Sequence, residues 1–132
     1  MRCGSYYCPV FVSVTRAAKR IDNVERDVHL VVGFRLANPT DFGLYHDEDA
    51  DAVFAVEETL NEHLGEHALF LGRITGEGRR ELHYRVQEGG PAATIVEAWT
   101  RTQPNYSFAI DMELDPTWEL CEQLSADVEM VN

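Results

Sequence analysis

Hydrophobic and polar positions alternate, then shift to a spacing of three and four, then alternate again along most of this chain. Over residues 29–36, Leu30, Val32, Phe34 and Leu36 fall on one side, because successive strand side chains point to opposite faces. Ala37-Asn38-Pro39-Thr40-Asp41 stops that strand. Over 49–64, Val53, Val56, Leu60 and Leu64 form the single apolar stripe of a helix. Asp49 or Asp51 suits its start, and Gly65 can end it with a positive φ. Residues 68–75 and 80–87 read as two strands turned by Gly76-Glu77-Gly78. In the second arm Leu82, Tyr84 and Val86 point one way, and Glu81, His83 and Arg85 the other. Gly89-Gly90-Pro91 then opens a second helix, with Ala92, Ile95, Val96 and Trp99 on one face, and Gln103-Pro104-Asn105 closes it.

Residues 106–114 alternate Phe108, Ile110, Met112 and Leu114 against Ser107, Ala109, Asp111 and Glu113. The first set falls on the side that the helices are expected to cover. Asp115 caps a final short helix through Trp118, Cys121 and Leu124. Ahead of these elements, Val10-Phe11-Val12-Ser13-Val14 reads as an edge strand. Residues 15–27 are polar, with about one helical turn at Ala17-Ala18-Lys19-Arg20.

From His29 the order is strand, helix, strand, strand, helix, strand. That order predicts an α+β, ferredoxin-like βαββαβ sandwich. Right-handed crossovers put both helices on one face of a four-stranded antiparallel sheet ordered 4-1-3-2. A short N-terminal strand and a C-terminal helix are added to it. The expected organisation is a flexible lead-in at 1–9, one domain over 10–125 and a frayed tail at 126–132.

The 132 residues suit about one domain, and an apolar share of 45% is too high for a disordered chain. Acids outnumber bases 23 to 11, a net charge of −12, which argues against binding nucleic acid or an anionic membrane. Nine acids and no Lys or Arg lie between Asp41 and Glu66. This run reads as a solvated surface or, more sharply, as a docking surface for a basic partner. No apolar stretch is long enough to span a membrane and the start lacks a signal-peptide core, so the expected location is cytoplasmic. Three Cys, an odd count, are expected as free thiols, and Cys3 and Cys8 lack two further ligands for zinc.

Three stretches carry a resemblance to a known family. They are Leu69-Phe70-Leu71-Gly72-Arg73-Ile74-Thr75-Gly76-Glu77-Gly78-Arg79-Arg80-Glu81-Leu82-His83-Tyr84, Tyr106-Ser107-Phe108-Ala109-Ile110-Asp111, and Asp115-Pro116-Thr117-Trp118-Glu119-Leu120-Cys121. Together they resemble domain of unknown function 695, with its hairpin and a late Asp-x-x-Trp, over roughly residues 10–125. That family is in turn similar at fold level to the regulator of ribonuclease activity B, a small acidic ribonuclease E inhibitor family. The resemblance implies a binding or regulatory role, without implying the same target.

No motif establishes a reaction. His63-Leu64-Gly65-Glu66-His67 spells the inverted zinc-protease motif, but Gly65 interrupts the helix that would align its two His. The glycines at 72, 76 and 78 lie between strands and lack the Lys-Ser/Thr ending of a phosphate loop. Arg79 and Arg80 are expected at the hairpin tip. No Gly-x-Ser-x-Gly elbow occurs, and Cys121 reads as a buried thiol. The sheet face away from the helices is expected to be open, carrying Val31, Arg35, Arg73, His83, Arg85, Asp111 and Glu113, with Arg35 beside Asp111 or Glu113. Arg35, Arg73, His83, Arg85, Asp111 and Glu113 are therefore the candidate binding residues, or else a set of cross-strand ion pairs. Asp115 and Trp118 are expected to be structural. No catalytic residue, metal or cofactor is expected. The leading expectation is a binding protein with a protein partner. The alternatives are a small-molecule-binding or enzymatic domain on the open face, or a homodimer.

Overall fold

The computed structural model describes residues 25–120 in full and the backbone of strands at 2–3, 6–7 and 10–14. In chain order the elements are β1 (Arg2–Cys3), β2 (Tyr6–Tyr7), β3 (Val10–Val14), β4 (Val28–Arg35), α1 (Ala50–Leu64), β5 (Ala68–Gly76), β6 (Arg79–Val86), α2 (Ala92–Thr100) and β7 (Phe108–Leu114). The helical turn expected at 17–20, the C-terminal helix beyond Leu120 and the tail at 126–132 lie outside the described residues.

β1 and β2 pair with each other, within the stretch expected as a lead-in. The other five strands form one sheet in the order β3-β5-β6-β4-β7. Its four strands from β4 onward are antiparallel and lie in the order expected, with β3 added at the β5 edge. The connection lengths explain this order. A two-residue turn makes β5 and β6 neighbours, whereas each helix must carry the chain across a strand. Glu77 and Gly78 both have positive φ (56° and 76°), which matches the twist of the strands they join.

Both helices contribute to one apolar cluster on one side of the sheet. Leu30, Val32 and Phe34 of β4 and Leu82, Tyr84 and Val86 of β6 meet Val53, Val56, Leu60 and Leu64 of α1 and Val96 and Trp99 of α2. Alternation on the strands and three–four spacing on the helices therefore converge on one interior. Two polar atoms are satisfied there: the Tyr84 hydroxyl donates to Asn61 Oδ1 (2.6 Å) and the Trp99 indole donates to Thr59 Oγ1 (3.2 Å). Burial, with the charge of Glu57 behind it, raises the Tyr84 phenol well above its ordinary pKa.

The loop after β4 is tied to the β5–β6 turn. Gly78 N–H donates to the Gly43 carbonyl, and Leu36 N–H to the Gly78 carbonyl, both at 2.8 Å. Gly43 has φ +78°, and a Cβ there would lie 2.7 Å from the backbone nitrogens of Glu77 and Gly78. Gly43→Ala is expected to cost roughly 1–3 kcal/mol. Gly65→Ala is the comparison, with positive φ but open space around it, and should carry the backbone strain without the clash. Thermal denaturation of the two variants side by side checks the difference.

Candidate functional site

The sheet face away from the helices is assembled by strand register. His29 of β4 lies between Arg85 of β6 and Glu113 of β7, and Val31 lies between His83 and Asp111. This face is not the open, wet surface expected from the sequence. His29, His83 and Arg85 are buried. The residues just before β4 and just after β7 meet at one end of it, joined where Asp115 N–H donates to the Asp27 carbonyl at 2.7 Å, and both reach Arg85.

Arg85 is the centre of that junction. Its side chain is fully buried, and Nη1 donates to Asp115 Oδ2 at 2.9 Å, Nη2 to the Asp115 carbonyl at 2.6 Å and Nε to the Arg26 carbonyl at 3.1 Å. The guanidinium stacks 4.6 Å from the Trp118 ring. The Asp115 carboxylate also accepts the backbone N–H groups of Glu119 (3.1 Å) and Leu120 (3.0 Å), as a cap does at a helix start. Trp118 itself has φ +62°, a conformation that costs a non-glycine residue about 1–3 kcal/mol and persists only where packing holds it.

Beside Arg85 runs a hydrogen-bonded chain. His83 Nε2–H donates to Glu81 Oε1 (3.2 Å), because a carboxylate only accepts. In the neutral pair His83 Nδ1 then accepts from His29 Nε2–H at 2.9 Å, and the buried His29 Nδ1 has no hydrogen-bond partner among the described residues. The hydrogen bond from His83 is the main cause holding the Glu81 carboxyl below its usual pKa. Burial, followed by the neighbouring His83 and Arg85, lowers the His29 pKa to about 4. The native state therefore refuses a proton that the unfolded chain accepts below its ordinary pKa of 6.5. Stability should fall as pH drops from 6.5 towards 4, by about 1.4 kcal/mol per unit at most and by roughly 3 kcal/mol in all. Urea midpoints between pH 7 and 4.5 check this, and His29→Gln should flatten the slope.

The expected face of Arg73 is corrected. β5 has a bulge at Leu71: Phe70 opposes Tyr84, yet Gly72 opposes His83. One extra residue reverses the alternation, so Arg73 opposes Leu82 and turns towards the helices. There Arg73 donates twice to Glu57 of α1, at 2.6 Å each. Arg80, expected at the hairpin tip, is also buried on this side and donates to Glu57 (3.1 Å) and to Thr75 Oγ1 (3.0 Å). Its guanidinium lies 4.7 Å from the Phe54 ring and 5.7 Å from the Tyr45 ring. Sequence reading missed Glu57, although it sits four residues after Val53 and three before Leu60, inside the apolar stripe.

Arg35 is also corrected. The β4–β7 ladder ends with Phe34 opposite Phe108, so Arg35 lies beyond Asp111 and Glu113 and opposes Arg79. Asp111 and Glu113 are exposed and form no ion pair among the described residues.

The helix-side row of β7 departs from expectation as well. Phe108 packs against Trp99 and Phe34, with ring centres 4.8 and 5.9 Å apart. Ile110, Met112 and Leu114 instead remain 40%, 40% and 57% exposed. At the inverted zinc-protease motif, α1 ends at Leu64 and a 3-10 turn follows over Gly65–His67. Among the described residues no three metal-ligating side chains gather. A cavity of about 90 Å3 at the start of α2, lined in part by Arg26, His67 and Gln87, is small beside the several hundred Å3 of a drug-sized ligand site. Among the described residues no helix is long and apolar enough to cross a membrane.

A family model of unknown function, DUF695, matches residues 9–125. The chain belongs to the DUF695 family. The match takes in all five strands of the main sheet and both helices, so the sheet, the Arg85 junction and the exposed β7 row lie within the DUF695 domain. No curated protein and no solved structure matches the chain.

Proposed function

We propose that this DUF695 protein is a binding and regulatory domain that acts in the cytoplasm by holding another protein, without catalysing a reaction. The carrying observation is the row Ile110, Met112 and Leu114, left exposed on the strand that ends the sheet. On the opposite face the buried Arg85 is committed to Asp115 and His83 to Glu81, which leaves the exposed Asp111 and Glu113 among its accessible charges. Groups held in this way are costly to redirect to a substrate. The strand order supports a ferredoxin-like βαββαβ unit with β3 added at its edge, and a C-terminal helix completes the proposed fold. Such a unit also accords with the fold-level likeness to the regulator of ribonuclease activity B.

The test is affinity capture from the host with wild type and with Met112→Ser, at low and high salt, followed by reconstitution from purified components. A stoichiometric partner is expected, with affinity reduced about tenfold or more by the substitution and an unchanged melting temperature. Equal binding of a purified partner by both forms, or retention of a metabolite in place of a protein, would overturn the reading.

A further inference from the structure

β7 is the last strand of the sheet, so the side of its backbone turned away from β4 has no ladder partner among the described residues. Such an edge offers alternating N–H and C=O groups to any extended chain laid beside it. Its side chains add a pattern to those groups. Ile110, Met112 and Leu114 form an exposed apolar row on the helix side, while Asp111 and Glu113 form an exposed acidic row on the other. Together they span five residues, about 17 Å of strand.

Resting on the protein-binding reading above, we infer that β7 takes an extended partner segment as an added strand, one that alternates apolar residues with Lys or Arg. Cross-strand neighbours decide the chemistry of that segment. Apolar residues opposite Ile110, Met112 and Leu114 remove exposed hydrocarbon from water, and cations opposite Asp111 and Glu113 pair with the two carboxylates. The net charge of −12 speeds the approach of such a segment, and salt screens it.

The same carboxylates disfavour a second copy of this chain. Antiparallel self-pairing about Asp111 sets Asp111 against Asp111. Pairing about Met112 sets Asp111 against Glu113 twice, and pairing about Glu113 sets Glu113 against itself. In-register parallel pairing opposes each acid with its own copy. Each of these arrangements places like charges opposite each other, a familiar guard against edge-to-edge association.

The experiment titrates the full chain with a blocked nine-residue peptide of alternating Val and Lys. Controls are its twin with Glu for Lys and a copy N-methylated at every second amide. Fluorescence anisotropy reads affinity, amide exchange reads β7, and sedimentation reads self-association. The Lys peptide should bind with protection of β7 amides and weaken with salt. The Glu twin should bind at least tenfold more weakly, and N-methylation of the edge-facing amides should abolish binding. Asp111 and Glu113 are themselves exposed, so Asp111→Lys with Glu113→Lys should still fold, and it should invert the preference between the two charged peptides. Affinity that ignores peptide charge, or a concentration-dependent dimer lost in Met112→Ser, would overturn the strand-addition proposal. A natural partner that depends on Met112 while the Lys peptide fails to bind would sink this inference and leave the protein-binding reading standing.

Discussion

Glu57→Leu is expected to destabilise the protein by about 3–5 kcal/mol, read as a fall in the urea midpoint at unchanged slope. Glu57 is buried on the apolar face of α1 and accepts from both Arg73 and Arg80. The two arginines do not suffer equally from its loss. Arg73 keeps 27% of its side chain exposed and can turn to water, whereas Arg80 keeps 1% and cannot. The cost is therefore the desolvation of one cation left behind, beyond the worth of its contacts. That distinction has its own check. Glu57→Leu combined with Arg80→Met should recover most of the loss, because well-packed apolar groups can replace a buried pair at little cost. Glu57→Leu with Arg73→Met should recover much less. Equal rescue by the two second substitutions would show that the penalty is not specific to Arg80.

Most elements were legible because they carry one uninterrupted period. Leu30, Val32 and Phe34 repeat every second residue, and Val53, Val56, Leu60 and Leu64 every third or fourth, and all are buried where the spacing puts them. The strand order followed from connection lengths, which are visible without any contact. The candidate site was less legible, because its residues depend on parity and on area. Parity failed at Leu71, where a single inserted residue turned Arg73 to the helix side. Gly72, a glycine inside a strand pattern, was the available signal. Area failed at β7. α2 has nine residues, about 13 Å of helix, and packs at the Phe108 end, so Ile110, Met112 and Leu114 keep their strand alternation without a roof. Alternation tells which side a residue takes but not whether anything lies above it. The cover over Arg85 was hidden for a related reason. A short aperiodic stretch such as Asp115–Trp118 carries no period to read, and its role emerges only from the partners it meets.

That stretch carries the second large effect. Asp115→Ala should cost about 3–5 kcal/mol, since it strips a fully buried guanidinium of its carboxylate. It also removes the acceptor for the N–H groups of Glu119 and Leu120, each of which then needs another partner. The local consequence is distinct from the global one. Trp118 keeps its positive φ only because the surroundings over-determine it, and the Arg85 guanidinium stacked on its ring is among the groups that hold it there. With the Asp115 carboxylate gone, the amides of Glu119 and Leu120 should exchange with deuterium far faster than those of β4, measured under conditions where the variant remains folded. Asp115→Asn retains an oxygen acceptor and removes the charge, so it should fall between wild type and Asp115→Ala in both measurements. If Asp115→Asn matched wild type in stability while Asp115→Ala did not, the carboxylate would act as a cap alone, and the charge on Arg85 would need another explanation for its burial.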